Sequence, residues 1–132
     1  MDFLIGALLA LGVGGLATLI GFDRDRAFWP VVMVVIASYY GLFALMGGGG
    51  ALLHEALWAV GFTAAAVIGF RTSLWWVVGA LAAHGVFDLV HPAMIDNPGV
   101  PAWWPAFCLA FDVAAAGYLA ARIVASRRGA GA

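Results

Sequence analysis

Five apolar runs, each close to the length of a membrane-crossing helix, constrain this chain more than any other feature. They extend from about Phe3 to Phe22, Phe28 to Met46, Ala51 to Phe70, Leu74 to His91 and Trp103 to Ile123. A helix rises 1.5 Å per residue and needs ~20 apolar residues to cross ~30 Å of hydrocarbon. A backbone in lipid must satisfy its own hydrogen bonds, so helices are expected. A transmembrane barrel would need alternating strands of ~10 residues, and these runs do not alternate. Composition agrees: 65% of the 132 residues are hydrophobic and 10% are charged, with mean hydropathy +1.04. Soluble domains carry about one-quarter charged residues, and disordered chains are less apolar still. The expected fold is a single all-α domain, a polytopic membrane bundle of five transmembrane helices.

The segments between the runs punctuate them. Asp23-Arg24-Asp25-Arg26 separates the first two spans, and Gly47 to Gly50 form a turn. Thr72 and Ser73 are suited to capping the fourth span, and Pro92 is expected to end it. Asn97-Pro98-Gly99-Val100-Pro101 reads as a loop. Phe28-Trp29-Pro30 and Trp103-Trp104-Pro105 open spans two and five with proline in the first turn and tryptophan as an interface anchor.

All six basic residues are arginines: Arg24, Arg26, Arg71, Arg122, Arg127 and Arg128. With five spans, every one falls on the same side. The positive-inside rule then predicts an outside N-terminus and a cytoplasmic C-terminus, in a multi-pass protein of the cell's inner (plasma) membrane. The one-sided bias argues against dual topology. Asp2, in place of a basic leader, argues against a cleaved signal peptide. A net charge of −1 leaves no basic surface for nucleic acid, and the single cysteine excludes an intrachain disulfide framework. The lipid bilayer is the expected partner. Gly6, Ala10 and Gly14 form a small-residue stripe suited to a homo-oligomer face or to close packing inside the bundle.

Polar residues inside the spans carry the functional information. Span three holds His54 and Glu55, span four His84, Asp88 and His91, and span five Cys108 and Asp112. A charge at the bilayer centre costs about 2.5–3.5 kcal/mol on insertion scales, so such residues point to function. His84, Asp88 and His91 follow i, i+4, i+7 spacing and share one helix face, as do Cys108 and Asp112. By helical rise, His54, Glu55 and Asp88 lie roughly 5 Å below the outer boundary, and Asp112 about 13 Å below it. Three stretches thus converge in the outer half of the bilayer, with Tyr39 and Tyr40 near enough to donate hydrogen bonds.

Three readings fit that convergence: a divalent-metal site, a proton or ion pathway, and a hydrogen-bonded network that holds helices together at about 0.6 kcal/mol per contact. Imidazole and carboxylate donors suit Zn, Fe or Mn. The preferred ligands are His54, Glu55, Asp88 and His91, with His84 and Asp112 behind them or forming a second locus. Glu55 or Asp88 would act as general base in a metal-dependent enzyme on a lipid-like or apolar substrate. The alternative is an ion, proton or small-solute transporter or channel, or a non-catalytic membrane subunit. Cys108 alone reads as a small buried hydrophobe. His54-Glu55 is followed by Ala56, Leu57 and Trp58, so no H-E-x-x-H zincin signature is present.

His84-Gly85-Val86-Phe87-Asp88-Leu89-Val90-His91, with Asp23-Arg24-Asp25-Arg26-Ala27-Phe28 and Val100-Pro101-Ala102-Trp103-Trp104-Pro105, resembles a family of small bacterial integral membrane proteins of unknown function. That resemblance implies a small membrane bundle and no particular activity. His84, Gly85 and Asp88 are also similar to the H-G-x-x-D stretch of bacterial membrane carotenoid-cleaving dioxygenases, whose iron is held by histidines. Those proteins are longer and have a fourth ligand histidine that this chain lacks, so their activity is not carried over.

Overall fold

A computed structural model describes residues 1–129. The chain forms five helices: α1 (Asp2–Ile20), α2 (Phe28–Met46), α3 (Leu52–Arg71), α4 (Trp75–Met94) and α5 (Trp104–Gly129). All five are long and apolar enough to cross a membrane. Much of their apolar surface faces outward: Leu4, Leu8, Leu57, Val60, Val86 and Leu89 are each more than half exposed. Such a surface is matched by hydrocarbon rather than water, as the hydropathy of the runs implies.

Contacts between the ends show how the helices alternate. Arg26, in the first loop, donates to the Gly69 carbonyl near the end of α3, and Arg122 of α5 pairs with Asp23 at 3.3 Å. At the opposite end Asn97, in the fourth loop, donates to the Tyr40 carbonyl of α2. The Gly47 turn packs against Gly99 so closely that a Cβ on either would meet the other's backbone. The bundle therefore has an arginine-rich end and a glycine-rich end. Gly48 and Gly49 take φ of 97° and 84°, a left-handed conformation that side chains rarely adopt.

Helix α4 lies against α5, α3 and α2, while α1 packs on α5. The α1 interface is the small-residue stripe: Gly6, Ala10, Gly14 and Ala17 are buried. A Cβ on Gly6 would strike the Phe107 carbonyl, and one on Gly14 would meet the Tyr118 ring at 2.8 Å. This corrects the homo-oligomer expectation for Gly6, Ala10 and Gly14, because that surface is already used within the chain. Small residues let two backbones approach where lipid supplies no hydrophobic drive for helix association.

Local departures from expectation have local causes. Helix α1 stops at Ile20 because Gly21 turns left-handed (φ 84°) and the Phe22 amide bonds back to the Ala17 carbonyl. Helix α4 does not end at Pro92 but continues to Met94, with the Ile95 amide bonded to the His91 carbonyl. A proline so near a helix C-terminus removes a single hydrogen bond in a turn whose carbonyls are partly unsatisfied anyway. Thr72 donates to the Ile68 carbonyl and so finishes α3, while the Ser73 hydroxyl accepts weakly from Trp75. Trp29 and Trp104 are buried, not interface anchors. Trp104 packs edge-on against Tyr39 and Phe43. Asp23 does not neutralise its arginine neighbours; it accepts from Thr18 and Arg122.

Candidate metal centre

The buried polar residues of the bundle are Glu55, His84, Asp88, His91, Asn97 and Asp112. They come together in two groups, joined by Tyr40.

The deeper group lies between α4 and α5. His84 faces Asp112, with Nδ1 2.7 Å from Oδ2, and the same nitrogen is 3.5 Å from Asp88 Oδ2. The shorter contact, to Asp112, is the hydrogen bond, and Asp88 Oδ2 is left without one. Cys108 Sγ lies 3.9 Å from Asp112 Oδ2, one turn away on α5. One donor atom from each of His84, Asp88, Cys108 and Asp112 falls within 4.8 Å of the other three, and all four residues are buried. Gly85 makes room for this approach: a Cβ there would press on Leu109 and on Asp112 Cβ at 3.3–3.4 Å.

Two oxygens in this group, Asp88 Oδ2 and Asp112 Oδ1, are buried without a hydrogen-bond partner. An orphaned buried carboxylate oxygen is costly, and in native proteins it commonly marks a water or an ion. The four side chains fit a divalent cation: imidazole, two carboxylates and a thiolate form a zinc-type donor set.

The shallower group lies near the glycine-rich end. His91 Nε2 is 2.7 Å from Glu55 Oε1, and the Asn97 amide donates to the same oxygen at 2.8 Å. Asn97 also accepts from the Gly99 amide, which holds the fourth loop against the bundle. Tyr40 links the groups. Its hydroxyl donates to Asp88 Oδ1 at 2.7 Å, its ring stacks on His91 at 3.9 Å, and its carbonyl receives Asn97.

The sequence-derived ligand set is therefore redistributed. His84, Asp88 and Asp112 belong to one cluster, and Glu55 and His91 to the other. His54 belongs to neither and is exposed. Adjacent helical residues point about 100° apart, so burying Glu55 turns His54 away. Cys108, read as a plain hydrophobe, stands in the quartet; its i, i+4 spacing to Asp112 was the available signal. The sequence places Asn97 in a loop, and nothing local to it announces a partner on α3. Tyr40 makes the expected hydrogen bond, whereas Tyr39 packs on Trp104 and Phe43.

Among the described residues, the side chains fully buried beyond the quartet, towards the arginine-rich end, are apolar. Met33, Ile36 and Ala37 on α2, Val77 and Leu81 on α4, and Ala115, Ala116 and Leu119 on α5 are buried there. Nearer the helix ends Tyr118, Thr18 and Asp23 hydrogen-bond in series. Two openings approach the clusters. An apolar groove of about 430 Å³ between α1, α2 and α5 is lined by Val32, Ile36, Tyr39, Phe107 and Cys108, among others. A polar crevice of about 270 Å³ at the glycine-rich end is lined by His91, Asp96 and Asn97 with neighbouring prolines. A larger groove between α3 and α4 stops at Phe62, whose ring meets His84 edge-on at 4.7 Å.

No family model, curated protein or solved structure matches this chain.

Proposed function

We propose that this chain is a metal-dependent membrane enzyme that acts on a lipid-like or apolar substrate, with a divalent cation held by His84, Asp88, Cys108 and Asp112. The observation that carries this reading is the pair of orphaned oxygens, Asp88 Oδ2 and Asp112 Oδ1, buried beside an imidazole and a thiol. A cation would satisfy both and displace the proton between His84 and Asp112. Once bound, it would supply Lewis-acid polarisation of a substrate oxygen. Tyr40 fixes Asp88 by holding Oδ1, so that Oδ2 is the oxygen left for the cation. In this arrangement Asp88 is a ligand rather than a free general base. Glu55, committed to His91 and Asn97, is not the base at the quartet.

The apolar groove supports the substrate class, because Cys108 belongs both to its wall and to the quartet. The apolar core beyond the quartet weighs against a conduit, which needs polar groups on both sides of the site. By the positive-inside rule the arginine-rich end is cytoplasmic, and the quartet is reached from the outer half of a bacterial inner membrane. One observation favours a second reading. Four buried protein donors are also the usual number at a structural zinc, which here would tie α4 to α5.

Chelator-sensitive turnover separates the two. Purified protein in vesicles of bacterial polar lipid should convert a lipid-like component, and Asp112→Asn and Val32→Trp, which obstructs the groove, should both abolish it. Bound metal without turnover in any lipid would leave the structural reading in its place.

A further inference from the structure

We propose that Glu55 and His91, closed in by Asn97, form a second divalent-cation site, shallower and more readily exchanged than the quartet. The proposal stands on the shallower cluster alone and does not require a metal in the quartet.

The first observation is an imbalance at one carboxylate. Glu55 Oε1 receives both His91 Nε2, at 2.7 Å, and the Asn97 amide, at 2.8 Å. Its other oxygen, Oε2, has no partner, although Glu55 is only 1% exposed. A buried carboxylate that crowds its donors onto one oxygen leaves the other needing a water or an ion. The donors at hand are the Glu55 carboxylate and the His91 imidazole, whose Nε2 would exchange its hydrogen bond to Oε1 for the cation, with no thiolate: a set suited to Zn, Mn or Fe.

The second observation is access. His91 and Asn97 line the polar crevice, and Asp96 stands in its wall as an exposed carboxylate. All six arginines lie towards the other end of the bundle, so no cationic side chain opposes a metal ion there. A narrow, low-dielectric mouth of negative sign concentrates cations. Two protein donors leave several coordination positions to water from the crevice. The ion is therefore held weakly and exchanges, whereas the buried quartet offers four donors.

Cobalt(II) titration of the metal-free, full-length protein in detergent tests this. Bound cobalt is counted by equilibrium dialysis, and the thiolate-to-cobalt charge-transfer band reports Cys108 separately. The expected result is two equivalents, of which only the tighter produces the thiolate band. Glu55→Gln and His91→Asn should each remove the weaker equivalent and leave the band unchanged. Asn97→Asp, which adds a carboxylate beside Glu55, should tighten the weaker equivalent about tenfold. One equivalent with a full thiolate band in the unmutated protein would overturn the second site, as would two equivalents persisting in both Glu55→Gln and His91→Asn. Unchanged affinity in Asn97→Asp would also count against it. A missing thiolate band with one equivalent that disappears in Glu55→Gln would instead remove the quartet and uphold this site.

Discussion

Tyr40 donates a 2.7 Å hydrogen bond to Asp88 across 48 residues of sequence, and both side chains are buried. This bond ties α2 to the face of α4 that carries the histidines and leaves Asp88 one free oxygen. Replacing the hydroxyl keeps the ring and its stacking on His91. Tyr40→Phe should therefore insert and fold, but lose about 10–100-fold in metal affinity, the range seen when a group orienting a ligand is removed. Competition against a chelator of known affinity measures this; an unchanged dissociation constant would separate Tyr40 from the metal site.

The Gly6 and Gly14 contacts predict an asymmetric response along α1. Gly6→Val places atoms where the Phe107 carbonyl lies, and overpacking of that kind costs about 1–3 kcal/mol or more. Gly12 has open space around it, so Gly12→Ala should be neutral, or stabilising by up to about 1 kcal/mol through helix propensity. Thermal unfolding in one detergent compares them. Equal stability of Gly6→Val and Gly12→Ala would contradict the α1–α5 packing described above.

Asn97 serves three partners: the Tyr40 carbonyl, Glu55 and the Gly99 amide. Asn97→Ala leaves buried polar groups without partners, at about 1–3 kcal/mol. It should also loosen the 97–101 loop, so that backbone amide exchange at Gly99 and Val100 accelerates. Protection unchanged at both amides would show that the loop is held by other contacts.

How far the sequence discloses this arrangement depends on the range of each interaction. Helix existence follows from hydropathy, since a run of ~20 apolar residues has few alternatives in a bilayer. The faces of α4 and α5 follow from helical periodicity, which aligns His84 with Asp88 and Cys108 with Asp112. Rotation of α3 does not follow in the same way. His54 and Glu55 are neighbours of similar chemistry, and only packing decides that Glu55 turns inward. Helical rise brings three stretches to one level but does not choose which residues meet. The choice depends on α5 lying against α4, brought close at Gly85, which no local pattern encodes. Pro92 departs from expectation because its position near a helix end outweighs its usual preference, and Asn97 sits in the expected loop with partners on α2 and α3 that only tertiary contacts set.

Membrane orientation is open to an independent check. Reporter fusions after Met46 and after Ser73 should report outside and inside, respectively, as the arginine distribution predicts. The opposite pattern would place the polar crevice and Asn97 on the cytoplasmic side.

The central claim is that the buried quartet holds a divalent metal, and metal content of the purified protein tests it most directly. After removal of loosely bound ions, the unmutated chain should retain about one zinc, iron or manganese ion, as a buried set of four donors implies. Asp88→Asn and Asp112→Asn, which keep shape but remove charge, should lose it while remaining folded, and His54→Ala should retain it in full. No metal in the unmutated protein, or full occupancy in both asparagine variants, would contradict the account and leave the quartet as a hydrogen-bonded tie between α4 and α5.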